Sequence, residues 1–331
     1  MISKWSKSSI YRLYEKLHLI TETLRLTIME RRKFIKNIAY TSSVLAIGSS
    51  NFQYVKALNL SNEAIDLVYV KNGEPGLLFE KGIEALGGLE KFIKPGNKVT
   101  IKPNIGWDAP PERAANTNPD LVSAIVKSCF KAGAKEVFVF DNSCNNVSKC
   151  YINSGIEKAV IDAGGTMVNG GDKSKYQKVK IPNAVKLKKA KVHELILQSD
   201  VILNVPILKN HSDTGVTVSM KNLMGTVWNR IDWHIKGLHQ CIADYASYIK
   251  PTLNILDAYR ILRTNGPKGR SIKDVEVTKS LFISTDMLAM DVFACSVFGL
   301  DPKSIKHFQL AKEKNIGKFN LKEIVVKEID L

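Results

Sequence analysis

The segment at residues 201–225, VILNVPILKNHSDTGVTVSMKNLMG, sets a nearly continuous apolar run directly before a dense cluster of polar side chains. The run at 201–208 is interrupted only by Asn204 and Pro206, which is typical of a strand covered on both faces in an α/β sheet. Open α/β sheets bind ligands beyond the carboxyl ends of their strands. The polar cluster that begins at Lys209 therefore lies where a binding site is expected.

Strand-like and helix-like segments alternate along most of the chain, which is the pattern of a doubly wound fold. Residues 98–102 and 136–140 have the composition of buried strands, and residues 119–131 that of a helix. We predict one α/β domain over residues 58–331, with a doubly wound, mostly parallel sheet and helices on both faces. The Lys-rich segment near 164–189 has no clear period and is predicted to be an irregular, exposed excursion.

Polar side chains follow several of the predicted strands. Because such strand ends meet at one edge of a parallel sheet, we expect these side chains to share one cleft. Lysine suits a carboxylate or phosphate clamp and less often serves as a base or covalent anchor, while asparagine supplies neutral donors. Asp141 could be a base, a metal ligand or the partner of a lysine. The predicted substrate-binding residues are Lys102, Asn104, Asn142, Lys221 and Asn222, and the predicted catalytic residues are His211, Asp141 and Lys209.

Two further histidines raise the question of a metal site. His234 and His239 are five residues apart, which is the wrong spacing for neighbouring ligands on one helix. Gly237 can break that helix, which would leave His234 on a loop and His239 on the following helix. With His211 they would then form a site for zinc, iron or nickel. The alternative is that they are ordinary surface and core histidines.

Several separated motifs occur in the order of one known family. The runs IKPNIGW, ANTNPDLV, FDNSC, NVPILKNHSDTGVTVSMKNLMG and NGPKGR resemble the DUF362 family of uncharacterised proteins, over about residues 65–317. Several members of this family are exported, and the resemblance implies no settled activity. His234 and His239 match histidines of the family pattern. A faint fold-level similarity to the nickel-dependent lactate racemases, in which a lysine anchors a cofactor, keeps covalent cofactor attachment open.

The N-terminal part has the features of an export signal. Residues 30–36, ERRKFIK, resemble the twin-arginine signature, and a modestly apolar segment follows at 38–47. That segment is too short and too rich in Ser and Thr to span a membrane. We predict a signal peptide over residues 1–57 cleaved after Ala57, use of the twin-arginine export machinery, a periplasmic location and no stable membrane anchor. Met29 is an alternative start, and an ordinary basic helix is the alternative interpretation.

The charge distribution favours a small anionic partner over nucleic acid. The formal net charge is +16, but residues 1–57 hold 10 Lys and Arg against 3 Glu, which leaves 38 basic and 29 acidic residues. Lysines in this remainder are scattered, and no arginine-rich block with interleaved aromatics occurs. We therefore expect no nucleic-acid binding and predict a small anionic ligand.

The cysteines and the missing motifs narrow the chemistry. Cys144 and Cys150 lie in one predicted loop, and we expect them to pair in an oxidising compartment, while Cys129, Cys241 and Cys295 fall in predicted helices. The sequence has no CxxC, so no iron–sulfur cluster is expected. It also has no GxGxxG after a strand, no GxxxxGK[ST] and no GxSxG, so neither a Rossmann dinucleotide site, a P-loop nor a serine hydrolase elbow is expected.

Two functional hypotheses remain. The first is an exported enzyme that acts on a small anionic substrate in a cleft of Lys, Asn, His and Asp side chains, with help from a divalent metal or another cofactor left open. The second is a non-catalytic periplasmic protein that captures an anionic ligand or a metal. Lysines would bind the anion under either hypothesis. The histidines would act as acid or base only in an enzyme, and as metal ligands in an enzyme or in a protein that captures a metal.

Overall fold

A computed structural model describes residues 64–331, and the predicted signal peptide and its cleavage site lie outside the described residues. The strands are β1 (Leu67–Lys71), β2 (Lys98–Pro103), β3 (Glu136–Val139), β4 (Thr166–Met167), β5 (Tyr176–Lys180), β6 (Lys189–His193), β7 (Val201–Val205), β8 (Ile207–His211), β9 (Gly215–Thr217), β10 (Leu253–Leu262), β11 (Val275–Ser284) and β12 (Val326–Asp330).

The α-helices lie between these strands, as expected from the alternating pattern. They are α1 (Pro75–Ala85), α2 (Pro119–Lys131), α3 (Val147–Asn153), α4 (Ile156–Asp162), α5 (Glu194–Gln198), α6 (Ser219–Asn222), α7 (Asp232–Lys236), α8 (Leu238–Tyr248), α9 (Met287–Val297) and α10 (Lys306–Glu313). Among the helices of residues 64–331, none has the length and apolar character needed to cross a membrane.

The main sheet is mixed but mostly parallel. Its strand order is β12-β1-β11-β10-β7-β2-β3-β4, and β8 pairs with β10 and β9 beside this path. β10, β7, β2, β3 and β4 pair in parallel, as does β12 with β1. β11 lies between β1 and β10 and is antiparallel to both. The predicted mostly parallel sheet is confirmed.

Helices cover both faces of this sheet, because neighbouring strand residues alternate between two apolar clusters. Ile255 and Ile283 pack into the cluster that contains buried residues of α1, α2 and α4. Leu256 and Phe282, one residue away on the same strands, pack into the cluster that contains α8, α9 and α10. This arrangement confirms the doubly wound α/β fold.

The loop between β2 and α2 is fixed to the strand ends, which positions part of the site. Asn118 caps α2, since its side chain accepts a hydrogen bond from the backbone N–H of Asp120. Pro119 takes the first helical position, where no N–H is needed. Thr117 donates its hydroxyl to the carbonyl of Val205 at 2.8 Å and accepts from the backbone N–H of Asn104 at 2.8 Å. The ends of β2 and β7 are therefore joined through one side chain.

The segment at 164–189 is more regular than the sequence indicated. β4 forms the edge of the main sheet beside β3, and β5 pairs with β6 in a separate antiparallel sheet. Tyr176, Ile181 and Leu187 are buried, so the segment is anchored by a few widely spaced apolar side chains. Because these apolar side chains are few and widely spaced among lysines, the sequence shows no period-2 pattern that would predict the strands.

Candidate functional site

A cleft at the carboxyl ends of β2, β3 and β8 brings the predicted residues together. We call it the lysine cleft and define it by Lys102, Lys209 and Lys221, which all line it. It encloses about 60 Å³, which is room for a few water molecules or a small ion. All eight predicted catalytic and substrate-binding residues line it, namely Lys102, Asn104, Asp141, Asn142, Lys209, His211, Lys221 and Asn222.

A buried ion pair forms the floor of the lysine cleft. Lys102 Nζ lies 2.9 Å from Asp141 Oδ1, and both side chains are almost completely buried. The same ammonium donates to the carbonyl of Pro103 at 2.7 Å and to Asn222 Oδ1 at 3.0 Å. Burial lowers the pKa of Lys102, and Asp141 opposes that shift. Lys102 thus donates two hydrogen bonds to neutral oxygens and forms an ion pair with the carboxylate of Asp141.

The backbone approaches this ion pair so closely that it requires a glycine. A Cβ atom at Gly225 would lie 1.8 Å from Asp141 Oδ1 and 2.7 Å from Lys102 Nζ. The second carboxylate oxygen, Oδ2, accepts from the backbone N–H of Ile105 at 2.7 Å. Asp141 is therefore held by a lysine and by a loop N–H, so it is a lysine partner, one of the three roles that the sequence left open.

Lys209 is buried without an acidic hydrogen-bond partner. Its Nζ atom donates to Asn104 Oδ1 at 2.9 Å and to the carbonyl of Ala115. Burial lowers the pKa of Lys209 to about 7, and the charges of Lys221 and Lys102 push it in the same direction. At neutral pH a large fraction of this amine is therefore uncharged, unlike an ordinary lysine.

Lys221 carries the amine that has no protein partner. Among the described residues it makes neither a hydrogen bond nor an ion pair, although it lines the lysine cleft from α6. Burial lowers its pKa to about 8, so it stays mostly protonated at pH 7. Thr217, at the end of β9, lines the same cleft with a buried hydroxyl that also lacks a partner in the described region. Unsatisfied buried polar groups indicate a missing ligand or water.

The neutral side chains of the cleft are positioned by one another. Asn222 Oδ1 accepts from Lys102 and from Asn104 Nδ2 at 3.0 Å, and its own Nδ2 donates to Asn204 Oδ1 at 2.9 Å. Asn204 in turn donates to Asn254 Oδ1 at 2.9 Å. Both ends of the Asn222 amide are thus used within the protein. The structure places Asn222 as a residue that orients the lysines, and its predicted contact with substrate remains untested.

Arg230 is a cleft residue that the sequence did not single out. Its guanidinium donates to the carbonyls of Asn142 and Ser143 and lies 3.5 Å from Cys144 Sγ. It closes the rim of the lysine cleft and adds a fourth cation to a site with a single lining carboxylate, that of Asp141. Thr217 and Cys144 were also missed. The one signal for Arg230 in the sequence was its position four residues before His234.

Among the described residues, the three histidines do not form a metal-binding group. His211 is buried in the cleft, where its Nδ1 accepts from the backbone N–H of Asp213, and burial lowers its pKa to about 3. His234 lies 3.5 Å from the carboxylate of Asp213, while His239 contacts His307, Nδ1 to Nδ1, at 3.1 Å. Within residues 64–331 no group of three or more His, Cys, Asp or Glu side chains could hold a metal ion. The structure therefore does not assemble the predicted metal site.

The helix break expected at Gly237 is present, but His234 is not on a loop. Gly237 has φ of 105° and separates α7, which contains His234, from α8, which contains His239. Such a positive φ favours glycine. The two histidines consequently point in directions set by two different helices.

The predicted disulfide between Cys144 and Cys150 is wrong, because both are free thiols. Asn146 caps α3, and this helix turns Cys150 into the apolar cluster with Ile156. Cys144 stays exposed at the cleft rim. Cys150 is therefore a core residue, whereas Cys144 is a residue of the cleft rim. Cys129, Cys241 and Cys295 are buried in helices, as predicted.

Asp257, a buried acidic residue of β10, lies outside the lysine cleft. It is buried on β10, where it accepts from the backbone N–H groups of Asn118 at 2.7 Å and Tyr259 at 3.0 Å. Burial raises its pKa to about 6, although those two hydrogen bonds oppose the shift. Its role is to hold the start of α2.

Comparisons with known proteins place this site in a family context. Residues 99–296 match the family described as a domain of unknown function, DUF362. The chain is also 26% identical over 254 residues to a thylakoid-associated protein of Synechocystis sp., covering 71% of this chain and 73% of that protein.

Two solved structures are similar to this chain in part. The lactate racemase apoprotein of Thermoanaerobacterium thermosaccharolyticum has a TM-score of 0.45 and 11% identity, over 73% of this chain and 59% of that one. A protein of Thermotoga maritima has a TM-score of 0.41 and 14% identity, over 73% and 60%. This chain therefore spans less than two thirds of the length of either.

Proposed function

The chain belongs to the DUF362 family, and we propose that it is an enzyme that binds a small anionic substrate in the lysine cleft. The observation that carries this proposal is the amine of Lys221, which lines the cleft without any protein acceptor in the described region. Lys221 is half-buried, and a cation partly removed from water without a counter-charge is costly unless a ligand supplies one. The neighbouring hydroxyl of Thr217, also without a partner there, offers a second contact to the same ligand.

The charge and size of the cleft support an anion of a few heavy atoms. Lys102, Lys209, Lys221 and Arg230 line it against the single carboxylate of Asp141, which is already paired with Lys102. The enclosed volume of about 60 Å³ is well below the ~300 Å³ at the lower end of ordinary ligand pockets. A carboxylate or an inorganic oxyanion fits these limits.

The lowered pKa values of the cleft lysines favour an enzyme over a protein that only binds the anion. A binding protein needs only fixed charges and donors. Here burial lowers the pKa of Lys209 to about 7 and that of Lys221 to about 8, so both can exchange protons near neutral pH. Perturbed groups of this kind concentrate in active sites, which supports the enzyme over the binder.

Anion binding can be tested by titration calorimetry with oxalate and inorganic phosphate. We expect replacement of Lys221 by Met to weaken binding by about 1 to 3 kcal/mol, or roughly 5-fold to 150-fold, since a charged hydrogen bond is lost. Lys127→Met is the matched control, because this lysine is exposed on α2 and distant in sequence from every cleft residue. Unchanged affinity in Lys221→Met would remove the basis of the proposal.

We also propose that the protein is exported, on the basis of the sequence pattern at residues 30–57. The paired Arg31 and Arg32, the modestly apolar segment after them and the small residues before position 58 support this proposal. Fractionation of cells, with detection of precursor and mature protein, would test it.

A further inference from the structure

The three lysines of the cleft differ in the number of protein acceptors that each amine meets. Lys102 has two neutral acceptors and, in addition, the carboxylate of Asp141 as an ion-pair partner at 2.9 Å. Lys221 has none in the described region. Lys209 has two, both neutral, in Asn104 Oδ1 and the carbonyl of Ala115. The fold thus holds three identical side chains in three different environments.

Two neutral acceptors are what an uncharged amine requires. A neutral primary amine has two N–H bonds and one lone pair, so donation to Asn104 and Ala115 leaves the lone pair as its remaining site. The direction of the first bond is fixed, because Asn104 Nδ2 donates to Asn222 and its Oδ1 must then face Lys209. With Lys209 buried and lining the cleft, a lone pair is available to a molecule bound there.

We propose that Lys209 is a nucleophile that forms an imine with a small oxo-carboxylate, whose carboxylate is held by Lys221 and Thr217. This inference rests on the proposed function, since it names the substrate class of that same cleft. Lysine amines attack carbonyl groups from their uncharged, desolvated form, and Lys209 is buried with only neutral hydrogen-bond acceptors around its amine. Lys102 is unsuited to the role, because its nitrogen is committed to Asp141 as an ammonium.

The proposed step balances without a further reactant. The lone pair of Lys209 Nζ forms a bond to the carbonyl carbon while the π bond to oxygen breaks. One amine proton moves to that oxygen, which gives a carbinolamine. The second amine proton then leaves with the hydroxyl group as water, and the C=N bond forms. No oxidant, reductant or metal takes part.

The surrounding charges agree with an amine that is partly neutral near pH 7. Burial is the main cause of the lowered pKa of Lys209, and Lys221 and Lys102 add to it. Cys144 and Asp141 act in the opposite direction. His211, on the same strand, has a pKa lowered to about 3 and so brings no charge at neutral pH. Lys221, whose pKa is lowered to about 8, can carry protons to and from the carbonyl oxygen.

The imine can be trapped by reduction in the full-length protein. We would incubate it with glyoxylate, the smallest carboxylate that carries an aldehyde, add sodium cyanoborohydride and map the modified peptides by mass spectrometry. We expect a carboxymethyl group on Lys209 at least tenfold in excess of that on any exposed lysine. Excess oxalate, which has the charges but no aldehyde or ketone, should protect Lys209 by occupying the same site.

The labelling should rise between pH 6 and pH 8 as the amine loses its proton, whereas an ordinary exposed lysine reacts appreciably only at higher pH. Lys209→Met should lose the label, and the wild-type peptide map decides the matter even if that variant does not fold. Labelling of exposed lysines without Lys209, or of Lys102 in its place, would overturn the proposal. If oxalate still binds in a Lys221-dependent way, anion binding survives that outcome; if oxalate does not bind either, both proposals fail.

Discussion

The buried ion pair between Lys102 and Asp141 offers a sharp test of the site, through the substitution Asp141→Asn. The new side chain has nearly the same shape, but its NH₂ group or neutral oxygen faces the ammonium of Lys102 in place of a charge. Removing one partner of a buried pair costs about 3 to 5 kcal/mol of stability, because the other charge stays uncompensated. Both side chains here are almost completely buried, so solvent cannot relieve the loss.

Deprotonation of Lys102 sets the upper limit of that loss. Neutralising an amine whose unfolded pKa is ~10.4 takes about 4.6 kcal/mol at pH 7, at about 1.36 kcal/mol per pH unit. In the variant, the pKa of Lys102 in the folded state is lowered further than in the wild type. At pH values between that folded pKa and the unfolded pKa, the unfolded state of the variant binds more protons than its folded state. Stability of the variant therefore rises with pH, and the difference from wild type should shrink as the pH rises through the interval between the two folded pKa values of Lys102, by at most about 1.4 kcal/mol per pH unit.

Urea denaturation at pH 7, 8 and 9 would measure this difference directly. Asp162→Asn is the matched control, because Asp162 forms an ion pair with Lys158 at 2.5 Å that is exposed on α4. That substitution should change stability little at any of these pH values. The double variant Asp141→Asn with Lys102→Met should recover much of the loss, since no unpaired charge remains. A loss below about 1 kcal/mol that is also independent of pH would refute the assignment of Lys102 as a charged, buried partner of Asp141.

Three other substitutions or labelling experiments address the rest of the chain. Gly225→Ala should lower the melting temperature and weaken oxalate binding, because its Cβ would lie 1.8 Å from Asp141 Oδ1. Gly106→Ala, whose Cβ would lie 3.6 Å from the nearest atom, should do neither. Equal effects of the two substitutions would argue against the close approach at Gly225. A small alkylating reagent should modify Cys144 in the native, unreduced protein while Cys150 stays protected until denaturation, and two blocked thiols would revive the disulfide. Replacing Arg31 and Arg32 together by Lys should leave the precursor in the cytoplasm, and unchanged periplasmic protein would count against export by the twin-arginine route.

The sequence correctly predicted the cleft residues at the carboxyl ends of strands, because their position depends only on the direction in which each strand runs. Lys102, Asp141 and Lys209 each follow or end an apolar strand run, and the carboxyl ends of parallel strands meet at one edge. Periodicity and strand ends are local features, so they can be read without knowing the partner strands. The sheet order and the antiparallel return of β11 have no such local signal, because they depend on pairing between distant segments.

The prediction was poorer where a side chain's direction depends on a helix or a turn. Cys144 and Cys150 are six positions apart, but the capped start of α3 sends one to solvent and the other into the core. Arg230 reaches the cleft from the segment before α7 and donates to the carbonyls of Asn142 and Ser143, which lie 88 and 87 positions earlier in the chain. These contacts are tertiary, so the composition of the local sequence does not reveal them.

The different states of the three lysines follow from the amides around them more than from the lysines. Asn222 receives hydrogen bonds from Lys102 and Asn104 through Oδ1, so its Nδ2 must donate onward to Asn204. That direction turns the oxygen of Asn104 toward Lys209. An amide can donate only from nitrogen and accept only at oxygen, so reversing any member would set two donors or two acceptors face to face. Lys209 therefore meets a neutral oxygen where Lys102 meets a carboxylate, and this difference lets one cleft hold a fixed ammonium beside an amine that can lose its proton.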